Sequence, residues 1–156
     1  MNIILMRHGE AVPFAPNDGD RMLTPKGKAE AASTGSQLMK SGWLPESVWC
    51  STRIRARQTA EIAIDAMGLA IEPVVIDGVT PEDDWNVAIE VIERHAQDHS
   101  LFVFHQPILT AIVGYLTDGS PNFDVHPRAV PATAYLLKLE TFGPESARLI
   151  GAYQPK

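Results

Sequence analysis

The chain has a single cysteine, Cys50, so no internal disulfide can form and a reducing compartment suits it. It has no long hydrophobic run. The opening one, residues 2–6, falls short of the roughly 7–15 residues of a signal-peptide core, and none approaches the roughly 20 of a membrane span. These features predict a cytoplasmic chain. Positive charge is also scarce: 13 Lys and Arg stand against 19 Asp and Glu, a net charge of −6. That balance argues against a nucleic-acid or anionic-membrane surface, which needs a basic face. Any anion site must therefore be a local positive pocket. No glycine loop of the P-loop or dinucleotide type is present. Cys50 lacks the arginine a Cys-x5-Arg phosphatase loop requires, because position 56 is alanine. His95 and His99 have metal-ligand spacing but no convincing third ligand, so no metal or cofactor is expected.

What is present is ordinary in amount and informative in order. At 156 residues the chain is long enough for one domain, 1–156, with a full hydrophobic core. Residues 2–6 read as a central strand buried on both faces. A polar loop follows over 11–22, carrying Asp18, Asp20 and Arg21. Thr24-Pro25 then predicts a capped helix Pro25–Lys40, with Ala29, Ala32, Leu38 and Met39 on its buried side. Ser47–Cys50 reads as a second strand, and Ser51 or Thr52 as the cap of a helix ending near Met67-Gly68. A third strand is expected over 71–76, and a helix from Thr80-Pro81 to about His95. Residues 101–104 form a fourth apolar strand, followed by His105 and a helix over 107–116. A long Gly/Pro-containing loop covers 117–131, a length often functional in compact domains. Two strands, 132–139 and Ala147–Tyr153, close the chain as a hairpin. Strands alternating with helices predict a three-layer α/β/α sandwich with a mostly parallel central sheet and an antiparallel edge.

Chemistry gathers where the strands end. Ligands of open α/β sheets bind beyond the carboxyl ends of the strands. Arg7-His8-Gly9 follows the first strand and His105 the fourth, while the second runs into a helix start bearing Arg53, Arg55 and Arg57. At about 100° per residue, Arg53 and Arg57 share one side of that helix and Arg55 lies about 160° away. One set can face a pocket and the other solvent. A phosphoryl group needs its oxygens held and a nucleophile in line. Arg7, Arg55 and His105 could hold oxygens while His8 attacks as neutral imidazole.

Four ordered motifs then resemble the signature of the histidine phosphatase superfamily. They are Met6-Arg7-His8-Gly9-Glu10, Leu23-Thr24-Pro25-Lys26-Gly27, the run from Ser51 to Thr59, and Phe104-His105-Gln106-Pro107. The short chain, Asp18 and Arg21, and Ile112-Val113-Gly114-Tyr115-Leu116 are most similar to the SixA-type phosphohistidine phosphatases. The resemblance implies that His8 is the phosphorylated nucleophile. Arg7, Arg55 and His105 would complete a catalytic phosphate pocket, with Asp18 and Arg21 binding substrate, without metal or cofactor. It further implies phosphohistidine in a protein as the substrate. The alternatives are a small phosphoester or a catalytically idle phosphate-binding module. Phe104 stands where the family commonly has serine, and Gln106 where many members have glycine. The acidic proton donor that mutase-like members carry after the third strand has no clear equivalent, and Asp18 is the candidate in its place.

Overall fold

The structure, a computed structural model, describes residues 1–122 and 124–156, so position 123 of the loop expected over 117–131 lies outside it. At its centre, β1 (Asn2–Arg7) pairs in parallel with β4 (Ser100–Phe104), an apolar strand buried at every position. β2 (Ser47–Cys50) lies beyond β4, and β3 (Val74–Val75) forms one edge. On the other side of β1, β5 (Ala134–Leu139) and β6 (Ala147–Tyr153) add antiparallel strands, completing the order β3-β2-β4-β1-β5-β6. This is the mostly parallel sheet with an antiparallel edge that the strand pattern predicts.

The helices are α1 (Pro25–Lys40), α2 (Ile54–Ala66), α3 (Trp85–His95) and α4 (Ile108–Asp118). The chain steps from β1 to β2 to β3 in one direction and returns to β4 in the other. Right-handed crossovers therefore put α1 and α2 on one face and α3 on the opposite one. The alternation of β1 and β4 follows the same division. Ile4, Met6, Leu101 and Val103 pack with Ala56, Ala60 and Ala63 of α2. Ile3, Leu5, Phe102 and Phe104 pack with Ile92 of α3 and Ile112 of α4. No helix among the described residues is long and apolar enough to cross a membrane.

Three local expectations change. The buried side of α1 is Gly27, Ala31, Thr34, Gly35 and Leu38, whereas Ala29 and Met39 are exposed. The helix approaches α2 through small residues: a Cβ on Gly35 would stand 2.7 Å from the Ala63 carbonyl oxygen. The third strand shrinks to two exposed valines at the edge. Thr80-Pro81 makes a turn rather than a helix start. The Asp83 carboxylate accepts from both the Thr80 N–H and its hydroxyl, and α3 begins only at Trp85, after Asp84.

Candidate active site

Parallel pairing aligns the ends of β1, β4 and β2. Arg7 lies opposite Phe104, and the His8 N–H donates to the Phe104 carbonyl at 3.2 Å. The Ser51 N–H reaches the Val103 carbonyl at 3.1 Å in the same way. His8 and His105 are thus brought side by side, ring centroids 5.0 Å apart and planes tilted by 56°. Thr59 ties the histidine loop to α2: its hydroxyl accepts from the Gly9 N–H at 3.0 Å and donates to the Arg55 carbonyl at 2.8 Å. A cavity of about 270 Å³ opens here, lined by Arg7, His8, Asp18, Arg21, Arg55, Pro81, Glu82, His105 and Gln106. All six candidate site residues therefore meet at one place.

The His8 Nδ1 lies 2.7 Å from the Gly9 carbonyl. A carbonyl only accepts, so Nδ1 carries the proton and the neutral ring keeps its lone pair on Nε2. Burial, reinforced by Arg55, Arg7 and Arg21, lowers the His8 pKa to about 4, although the Gly9 carbonyl pulls the other way. His105 is 1% exposed, and burial followed by the neighbouring His8 and arginines lowers its pKa to about 2. Both rings are neutral near pH 7.

The arginines are fixed from outside the sheet. Arg7 donates through NH1 to the Ala129 carbonyl at 2.7 Å. Arg55, 3% exposed, donates to the Asp18 carbonyl at 3.0 Å and pairs with the Asp18 carboxylate at 3.3 Å. That carboxylate also accepts from Arg21 at 3.1 Å, and the hydrogen bond to Arg21 leads the effects holding Asp18 below the usual carboxylate range. Asp18 is therefore ionised at neutral pH, which disagrees with the sequence expectation of a proton donor. Arg57 pairs with Glu61 on the exposed side of α2. Arg53 departs from the helical-wheel reading. It precedes the first turn in extended backbone, and its guanidinium meets Glu82 at 2.6 Å near the cavity mouth.

Comparison with known proteins decides the family. Residues 3–78 match the profile of the Histidine phosphatase superfamily (branch 1). An uncharacterized protein of Picosynechococcus sp. is 37% identical over 114 residues, 70% of this chain and 68% of that one. The chain belongs to the histidine phosphatase superfamily. The mitochondrial serine/threonine-protein phosphatase Pgam5 of Drosophila ananassae is 36% identical over 74 residues, 47% of this chain and only 26% of that longer protein. The protein histidine phosphatase SixA, solved in complex with tungstate, superposes with a TM-score of 0.83 over 99% of this chain and 97% of its own, at 24% identity. The fold is thus that of SixA, end to end.

At this site, two residues escape a reading of the sequence. Glu82 lines the mouth, although the acidic run it belongs to looked like a helix start. Ser51 or Thr52 is the expected cap of α2, but Arg53 holds that place with no side-chain cap bond; the Ser51 hydroxyl instead accepts from the Arg53 N–H at 3.0 Å and meets His105 at 2.6 Å. The Cys50 thiol is buried, and burial pushes its pKa up to about 11, so it is inert as a nucleophile. Among the described residues, no three His, Cys, Asp or Glu side chains are grouped to hold a metal ion.

Proposed function

We propose that the protein is a phosphatase that works through a phosphohistidine on His8 and takes phosphohistidine in a protein as its substrate. The observation that carries this reading is the His8 ring: its Nδ1 proton is committed to the Gly9 carbonyl, and its Nε2 lone pair stands in a cavity lined by Arg7, Arg55 and His105. Nε2 attacks phosphorus, a new N–P bond forms, and the bond to the leaving nitrogen breaks. Arg7, Arg55 and His105 hold the equatorial oxygens, where charge must be met as the phosphoryl group passes between partners. Water then cleaves the phosphoenzyme and releases phosphate. Tungstate, the ligand in the SixA structure, is a tetrahedral oxyanion like phosphate, which supports a phosphoryl pocket in the shared fold.

Two guanidinium groups and a histidine donor can meet the charge of the phosphoryl group without a metal ion, so turnover is expected to survive dialysis against EDTA. A loss restored by Mg²⁺ or Mn²⁺ would assign another mechanism. Labelling decides the covalent step. A phosphoenzyme that is acid-labile and alkali-stable should form in the wild type and be missing from His8→Ala. Label persisting in that variant refutes the histidine intermediate. A screen of phosphohistidine proteins against small phosphoesters separates the two substrate classes.

A further inference from the structure

We infer that Ser51 is a positioning residue that sets the tautomer of His105, so that the neutral ring turns an N–H donor toward the phosphoryl group; this rests on the reading of the pocket as a phosphoryl site. Ser51 and His105 are 0% and 1% exposed, and Ser51 Oγ lies 2.6 Å from His105 Nε2. The other partner of Oγ is the Arg53 N–H at 3.0 Å, which is itself a donor. It occupies a lone pair and cannot receive the hydroxyl proton. Among the described residues the one acceptor left for that proton is Nε2.

Ser51 therefore donates, and Nε2 carries no hydrogen. A neutral imidazole has one N–H, so it must sit on Nδ1. Nδ1 is buried and has no protein partner. His105 lines the pocket, and Nδ1 is its one uncommitted ring nitrogen. The opposite tautomer would strand the serine proton in a dry interior and turn a lone pair toward the phosphoryl oxygens, which can only accept. Burial and the neighbouring arginines keep the ring from charging, so the donor must come from the tautomer rather than from a second proton. Ser51 touches no substrate; it acts through His105.

Nitrogen NMR of the side chains in uniformly ¹⁵N-labelled wild-type protein tests this directly. Between pH 6 and 8, His105 should show a protonated Nδ1 and a bare Nε2. A protonated Nε2 overturns the inference, whatever the protein proves to hydrolyse. A failed phosphatase assay with the expected tautomer in place would refute only the function. Kinetics supply the second arm. Ser51→Ala should lower kcat by about 10–100-fold, the range lost when outer-shell partners of metal-bound histidines are removed. In a His105→Ala background the same change should cost less than about 2-fold, because the residue it works through is gone. An equal loss in both backgrounds would make Ser51 a mere support for α2 and would also overturn the inference.

Discussion

Gly9 and Gly27 meet backbone to backbone. A Cβ on Gly27 would stand 2.0 Å from the Glu10 carbonyl oxygen, and one on Gly9 would stand 2.5 Å from the Gly27 carbonyl oxygen. The contact seats the first turn of α1 on the loop that carries His8, and the Thr24 N–H bonds the Glu10 carbonyl at 3.0 Å beside it. Close approach, rather than an unusual backbone angle, is what requires glycine here.

Gly27→Ala should therefore lower both stability and turnover. Overpacking of this kind costs about 1–3 kcal/mol, and each kcal/mol shifts Tm by roughly 2–4 °C in a chain of this size. Thermal unfolding and a rate measurement on the same sample check it. A variant with unchanged Tm would mean that α1 can move away without consequence.

Arg55→Ala should reduce kcat by about 10²–10³-fold, the usual cost of one preorganised transition-state donor. Arg57→Ala should leave it nearly unchanged, since Arg57 is exposed and paired with Glu61. Arg53→Ala should fall between, because Arg53 sits at the mouth against Glu82 and not in the pocket. A loss at Arg53 as large as that at Arg55 would place Arg53 among the groups holding the phosphoryl oxygens.

Much of this site was legible because strands buried on both faces have an unmistakable pattern, and their ends say where ligands bind. Arg7, His8 and His105 are found that way; helical geometry separates Arg55 from Arg53 and Arg57, and the family resemblance is what picks Arg55. What escaped depends on contacts that local pattern does not encode. The α1–α2 seam is built on Gly35 rather than on large apolar residues, so a hydrophobicity reading turns the helix toward Ala29 and Met39 instead. Thr80-Pro81 carries a helix-start signature, yet Asp83 closes it into a turn that leaves Glu82 at the pocket mouth. Arg53 obeys no helical wheel because it precedes the helix. Ser51 looks like any cap until the fold brings His105 beside it.

The two pocket histidines also predict how the protein responds to acid. An unfolded histidine titrates near 6.5, whereas His8 is lowered to about 4 and His105 to about 2, mainly by burial. Above about pH 6.5 both states are neutral and nothing is at stake. As pH falls below that value the unfolded chain takes up protons that the native rings refuse, so stability declines from about 6.5 to 4 on account of both rings and on toward about 2 on account of His105. Turnover should stay nearly flat from pH 8 to about 5, since the proposed nucleophile His8 stays unprotonated there, and drop as pH nears 4. Denaturant melts at several pH values test the first part: His8→Asn should flatten the slope between pH 6.5 and 4. A turnover profile that fell already near pH 6.5 would show that His8 titrates as an ordinary histidine.

The leaving group separates the possible substrates. An alkyl phosphomonoester expels an alkoxide, a poor leaving group that gains about 10²–10⁴-fold from a positioned proton donor. The two carboxyl groups at the pocket are poor donors. Asp18 is held below the usual range chiefly by its hydrogen bond to Arg21, and Glu82 chiefly by its hydrogen bond to Arg53. Both are ionised at neutral pH. Phosphohistidine expels an imidazole, which departs far more readily without such help. The rate on a phosphohistidine protein should therefore exceed that on an alkyl phosphate. Asp18→Asn should slow both substrates by a similar few-fold factor, because what it loses is the partly exposed pairing that steadies Arg55, an interaction of modest strength. A selective loss on the alkyl substrate would make Asp18 the proton donor after all. Turnover of a sugar phosphate as fast as that of phosphohistidine would overturn the substrate assignment and leave the chemistry of His8 standing.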